Sequence, residues 1–231
     1  MREEEEEEEE EEKTVLAQVF GSSSDESDSN DGYSDREREW EWESISEVQG
    51  LWLCPNFLSP RHQSRILASI QSDNWFPSPS INQAMRFGLQ HLPYWAPPLG
   101  HSIRRSIRLQ AQNPPPFPPH LLYREPLFDQ MIANVYQPGE GICAHVDLLR
   151  FDDGIAILSF ESDCVMHFTN ASLSVPVLLT PGSLVLMSGE ARYRWKHEIN
   201  RSPEFQIWQG RQLTQSKRTS ITLRKLSAST S

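Results

Sequence analysis

The chain has 231 residues, 37% of them hydrophobic and 10% aromatic, and a formal charge of −11, which suits one globular domain carrying a tail. The charge is uneven: residues 1–44 hold 4 Lys/Arg against 19 Asp/Glu, a net −15, while residues 45–231 hold 17 against 13, a net +4, so the acidic total does not exclude an anionic partner such as nucleic acid. No run approaches the roughly 18 apolar residues of a membrane-spanning helix and the N-terminus is acidic where a leader peptide would be basic, so neither a membrane partner nor secretion is expected.

The unbroken glutamates from Glu3 to Glu12 and the serine-acid run from Ser22 to Ser29 predict that residues 1–44 form a disordered acidic tail. It would serve as a regulatory or interaction arm, with serines open to phosphorylation, or simply as a solvating segment. The domain is placed at residues 45–231, with globular composition setting in between Trp40 and Leu53. Ser59-Pro60 is a helix-start signature, and Ile66, Leu67 and Ile70 supply an apolar stripe, so a helix of about a dozen residues is expected there.

Residues 77–126 hold 11 of the 17 prolines, together with Phe87, Tyr94, Trp95, Phe117 and Tyr123 and several arginines. Proline lacks the donor a sheet ladder needs, so this stretch cannot supply central strands. Its aromatics and arginines suit a substrate lid that stacks on bases and holds phosphates, or a rigid segment sealing the core edge. Seven short β-type runs follow, at residues 131–136, 154–160, 164–168, 175–179, 183–187, 193–199 and 219–223. Pro138-Gly139, Asp153-Gly154 and Pro181-Gly182 fall at the breaks, and the pattern is that of a sandwich or jelly roll in a mainly β, α+β domain.

His145-x-Asp147 sets an imidazole and a carboxylate on one face of an extended strand. The pair is weak alone, but His197 in a later predicted strand completes the two-His, one-carboxylate set of non-haem iron oxygenases, which leaves half an octahedral shell open. On the last strand Arg218 and Arg224, six residues and roughly 20 Å apart, share a face with Ser220 and Thr222 and could bracket a small dicarboxylate. Ile221 and Leu223 face the other way. Ser188-Gly189-Glu190 either lines the site or closes a tight turn, Trp195 and Tyr193 read as core or pocket wall, and Cys143 reads as a buried structural cysteine sharing the face of His145. Three cysteines, Cys54, Cys143 and Cys164, with no Cys-x-x-Cys point to a reducing compartment, cytoplasmic or nuclear.

The run Asn134-Val-Tyr136-Gln-Pro-Gly139-Glu-Gly141-Ile-Cys-Ala-His145-Val-Asp147, with His197 and Arg218-x5-Arg224, resembles the AlkB family of Fe(II)- and 2-oxoglutarate-dependent dioxygenases from about residue 50 to 226. The resemblance implies a double-stranded β-helix with flanking N-terminal helices, His145, Asp147 and His197 as both metal ligands and catalytic residues, and dioxygen as oxidant. It implies that Asn134, Tyr136, Arg218 and Arg224 bind 2-oxoglutarate, Tyr136 and Arg218 at the distal carboxylate and Arg224 near the metal end. Leu158-Ser-Phe-Glu161 and Leu186-Met-Ser-Gly-Glu-Ala-Arg-Tyr193 look closest to the member that hydroxylates a modified wobble uridine of tRNA, without room for its RNA-recognition and methyltransferase domains. The expected activity is oxidative demethylation or hydroxylation of modified bases in RNA or tRNA, with DNA possible, by a monomer. A protein hydroxylase or demethylase on the same core is the alternative, and a non-catalytic binding module the weakest one.

Overall fold

The computed structural model describes residues 40–78, 80–110 and 114–228; most of the acidic tail, and with it the expectation of disorder, lies outside them. Two antiparallel sheets face each other. The larger runs β1 (Glu43–Ser44), β2 (Leu51–Cys54), β9 (Leu184–Met187), β6 (Ile155–Phe160), β13 (Arg218–Arg224), β4 (Gln130–Tyr136) and β3 (Gln83–Phe87), and the smaller runs β5 (Ile142–His145), β10 (Lys196–Ile199), β7 (Cys164–Asn170) and β8 (Leu173–Leu179). A two-stranded ribbon, β11 (Ile207–Trp208) with β12 (Arg211–Gln212), stands apart. This is the mainly β, jelly-roll type of sandwich that the short strands imply.

Alternation along the strands divides the large sheet into two chemically different faces. Ala133, Ala156, Leu158, Ile221 and Leu223 point outward into a core closed by helices. Ile155, Ile157, Val185 and Met187 point inward against Met166 and Phe168 of the small sheet. Helix α1 (Pro60–Ser72) starts as its sequence dictates, with the Ser59 hydroxyl accepting from the His62 N–H and Pro60 in the first turn, and it buries Ile66 and Ile70.

Three elements depart from the sequence-based expectation. The proline-rich stretch contains a second long helix, α2 (Ala96–Leu109), which buries Leu99, Ile103 and Ile107 at four-residue spacing. Pro97 and Pro98 are tolerated because they occupy its first turn, where N–H groups have no intrahelical partner. The indole of Trp95 donates to Ser69 at 3.0 Å and ties α2 to α1. The same stretch supplies a strand, β3, but at the sheet edge, as the proline argument requires. Tyr193 is not extended: residues Glu190–Tyr193 form a helical turn, α4, after the short α3 (Pro119–Leu122), and the strand begins only at Lys196. At the N-terminus, Trp42 is 4% exposed and β1 pairs with β2, so the boundary drawn at 44/45 falls inside the folded unit.

Candidate active site

Cross-strand register builds one wall of the site. Against β4, Arg218 lies opposite Tyr136, Ser220 opposite Asn134, Thr222 opposite Ile132 and Arg224 opposite Gln130. Because every one of these pairs has the same parity, all eight side chains share the inner face. The edge strand repeats the device, with Gln83 opposite Asn134 and Met85 opposite Ile132. On the other wall β5 pairs with β10 so that His145 faces His197 directly, their ring centroids 4.3 Å apart. Between the walls lies a cavity of about 310 Å³ lined by His145, Asp147, His197, Asn134, Tyr136, Arg218 and Arg224 among others. All the residues assigned to metal and 2-oxoglutarate from the sequence therefore meet in one place.

Asp147 reaches the cluster by a different route from the expected one. The strand ends at His145, and Asp147 sits in the following loop, 7% exposed. Its Oδ1 accepts from the Arg224 Nη1 at 2.7 Å, and its Oδ2 lies 3.7 Å from the His197 Nε2. One donor atom from each of His145, Asp147 and His197 falls within 4.8 Å of the others. The Nδ1 of His145 is 2.9 Å from the Cys143 carbonyl, which only accepts, so that nitrogen carries the proton and Nε2 keeps its lone pair for a ligand.

Burial, with lesser repulsion from His145, Arg192 and Arg224, overrides the attraction of Asp147 and lowers the His197 pKa to about 4. The ring is neutral near pH 7 and able to ligate. For Asp147, burial works against the charge, but His197, Arg224 and His145 outweigh it and hold the carboxyl below its ordinary value. A buried, ionised carboxylate beside the neutral His197 ring and the His145 imidazole, with one oxygen already held by arginine, is a donor set that fits a divalent metal with open positions.

The far end of the cavity is cationic. The Arg218 guanidinium, 4% exposed, lies 4.4 Å from the Tyr136 ring centroid and donates to the Ser159 hydroxyl at 3.4 Å. Burial raises the Tyr136 pKa, with Arg218 and Ser220 opposing it, so the phenol stays protonated and able to donate. Gln83 donates to the Asn134 Oδ1 at 2.9 Å and so fixes which way that amide faces. The two arginines are not equivalent. Arg224 is paired with Asp147, with the Gln130 Oε1 at 2.6 Å and with the Phe151 ring face at 3.9 Å, whereas Arg218, with no carboxylate beside it among the described residues, presents its charge to the cavity.

Several smaller expectations are corrected. Cys143 is exposed rather than buried, and contributes its carbonyl, not its thiol. Ser188-Gly189-Glu190 forms a turn, with the Gly189 N–H donating to the Asp153 carboxylate at 2.9 Å, and does not line the cavity. Trp195 is core, 4% exposed, while Tyr193 is 44% exposed. Among the described residues of the proposed lid, only β3 reaches the cavity, through Gln83 and Met85; Trp95 and Phe117 are core, and Arg104 is spent on the carbonyls of Leu122 and Arg124. Gln130, missed in the sequence, could have been found from its even spacing to Asn134 and Tyr136; Arg192 gives no comparable signal.

Gly141 is required by a close approach, since a Cβ there would lie 2.0 Å from the Ile199 carbonyl oxygen. Gly141→Ala should push β5 off β10 and part the two histidines, destabilising the fold by about 1–3 kcal/mol; thermal unfolding alongside Mn(II) affinity would register both losses.

A family model described as the 2OG-Fe(II) oxygenase superfamily matches residues 50–224. The chain is 41% identical over 215 residues to the Xenopus tropicalis tRNA (carboxymethyluridine(34)-5-O)-methyltransferase alkbh8, covering 79% of this chain and 32% of that protein. It is 28% identical over 216 residues to the Arabidopsis thaliana alkylated DNA repair protein ALKBH8 homolog, covering 80% and 60% respectively. The chain thus spans less than two thirds of the length of these curated relatives. The solved structure of OsALKBH1 matches with a TM-score of 0.55 at 13% identity over 76% of this chain and 96% of that one, a likeness of fold. No helix among the described residues is long and apolar enough to cross a membrane.

Proposed function

Since the chain belongs to the 2OG-Fe(II) oxygenase superfamily, in its AlkB branch, and is an iron- and 2-oxoglutarate-dependent dioxygenase, we propose that it oxidises a modified base in RNA, with a modified uridine of tRNA as the first substrate to examine. Bound iron and 2-oxoglutarate supply the oxidation of a substrate C–H bond by dioxygen, with 2-oxoglutarate decarboxylated to succinate; an N-methyl carbon would leave as formaldehyde, and a C-linked carbon would keep its hydroxyl.

The chain's own residues do the positioning. His145, Asp147 and His197 hold the metal on one side of the cavity. Arg218 and the Tyr136 hydroxyl receive the distal carboxylate of 2-oxoglutarate, and Asn134, oriented by Gln83, lies between them and the metal end. Arg224 keeps Asp147 ionised and turned toward the histidines. Ile132, Ile157 and Met166 wall the cavity and keep water from the reacting carbon. Met85, Leu148 and Arg150 complete its lining toward the solvent side.

The observation that carries the enzymatic reading is the single cavity that joins the His-Asp-His cluster to Arg218. For the substrate, support comes from the net +4 of residues 45–231 and from the relative whose name specifies tRNA carboxymethyluridine 34. The test is incubation with iron, 2-oxoglutarate and total tRNA, followed by nucleoside mass spectrometry. Loss of one modified nucleoside, or its gain of one oxygen, is the expected result. No change in any nucleoside, with succinate still formed on a protein extract, would transfer the chemistry to a protein substrate.

If the domain binds RNA electrostatically, the acidic tail should oppose it. Removal of residues 1–39, which spares Trp42 and β1, should tighten RNA binding at low salt, with the difference shrinking as salt rises. Filter-binding titrations at two ionic strengths measure this; equal affinities at both would separate the tail from RNA recognition.

A further inference from the structure

We propose that Arg192 is a positioning residue for the metal site, clamping the loop that carries Asp147; the proposal rests on the assignment of Asp147 as a metal ligand. Arg192 is 1% exposed, one of the largest fully buried side chains in the protein. Its guanidinium fork converges on one loop: Nη1 donates to the Asp147 carbonyl at 3.0 Å, and Nη2 donates to the carbonyls of Leu148 at 2.8 Å and Phe151 at 2.9 Å.

Past His145 the leading half of that loop has left its strand and joins no ladder, whereas its trailing half is tied to the C-terminal segment by the Phe151–Leu226 bridge, with the Asp152 N–H donating to the Lys225 carbonyl and the Ser227 N–H to the Arg150 carbonyl. Nor does burial anchor its leading half, since Leu148 is 61% and Leu149 80% exposed. A planar fork with fixed N–H directions accepts only one arrangement of three carbonyls, and it defines the turn in a way that a flexible ammonium would not. Asp147 is thereby gripped at two points, with Arg192 on its backbone and Arg224 on its carboxylate. The tie is doubled by the Gly189 N–H, which donates to the Asp153 carboxylate at 2.9 Å. Arg192 lies five residues before His197, so one short segment carries one ligand and the clamp on the loop of another. The same clamp sets where Leu148 and Arg150 stand in the lining of the cavity.

The test compares Mn(II) binding by calorimetry in wild type, Arg192→Met, Arg192→Lys and the exposed control Arg194→Met, each checked for native circular dichroism and cooperative unfolding. In Arg192→Met the Mn(II) dissociation constant should rise about 10- to 100-fold. Arg192→Lys should recover part of that loss, and Arg194→Met should match wild type. A folded Arg192→Met or Arg192→Lys that binds Mn(II) within twofold of wild type overturns the clamp. Wild type that binds no Mn(II) overturns the metal assignment beneath it, so the two failures are distinct. Should Arg192→Met not fold, Arg192→Lys carries the same reading, and amide hydrogen exchange in metal-free wild type needs no variant. There the Phe151 amide, which donates to the Leu148 carbonyl, should be protected before metal is added; exchange at the rate of an unstructured peptide would overturn preorganisation by Arg192.

Discussion

His145→Ala and Asp147→Asn are each expected to lower 2-oxoglutarate turnover to background while the domain remains folded. Loss of a group that merely orients a metal ligand commonly weakens metal binding about 10- to 100-fold, so loss of a ligand itself should exceed about 100-fold. The choice of Asn over Ala at position 147 follows from Arg224. Asp147→Ala would leave that guanidinium, whose side chain is 10% exposed, without its carboxylate, and breaking a buried ion pair from one side costs about 3–5 kcal/mol. Asp147→Asn keeps an acceptor for the Arg224 Nη1 while removing the negative charge that the metal requires. Succinate formation and thermal unfolding, measured on the same preparations, separate lost chemistry from lost fold. Wild-type turnover in either folded variant would remove His145 and Asp147 from the metal site.

Arg218→Ala is expected to raise the 2-oxoglutarate concentration needed for half-maximal turnover by about 10- to 100-fold, because a hydrogen bond to a charged group contributes about 1.5–3 kcal/mol. The maximal rate should change far less, since Arg218 touches neither the iron ligands nor the reacting carbon. Arg218→Lys should fall between the two, keeping the charge but not the two-pronged geometry. Here the contrast with Arg224 matters. Both arginines are buried on the same strand face, but Arg224 is already paired with the Asp147 carboxylate and Gln130, whereas Arg218 has no carboxylate partner among the described residues and meets only neutral groups, the Ser159 hydroxyl at the long distance of 3.4 Å and Tyr136. An unchanged 2-oxoglutarate requirement in Arg218→Ala would move the carboxylate site away from this end of the cavity.

The site was legible in the sequence where strand alternation governs it. Arg218 and Arg224, six residues apart, and Asn134 and Tyr136, two apart, point inward because period-two geometry leaves no other choice, and β13 and β4 pair in the register that aligns them. His145 and His197 meet for the same reason, as directly opposed residues of adjacent strands. Legibility failed where a loop or a tertiary contact decides. Asp147 was placed on a strand but sits beyond its end, in a conformation set by Arg192 and Arg224, neither of which is near it in sequence. Pro97 and Pro98 suggested loop, although in the first turn of α2 they interrupt no hydrogen bond. The proposed lid is for the same reason largely helix and core, with β3 its contribution to the cavity among the described residues.

A crystal structure grown anaerobically with Mn(II) and 2-oxoglutarate tests the central claim most directly. The expected result is one metal ion ligated by the His145 Nε2, Asp147 Oδ2 and His197 Nε2, with the distal carboxylate of 2-oxoglutarate against Arg218 and Tyr136. Metal bound elsewhere, or a carboxylate seated away from Arg218, would contradict it.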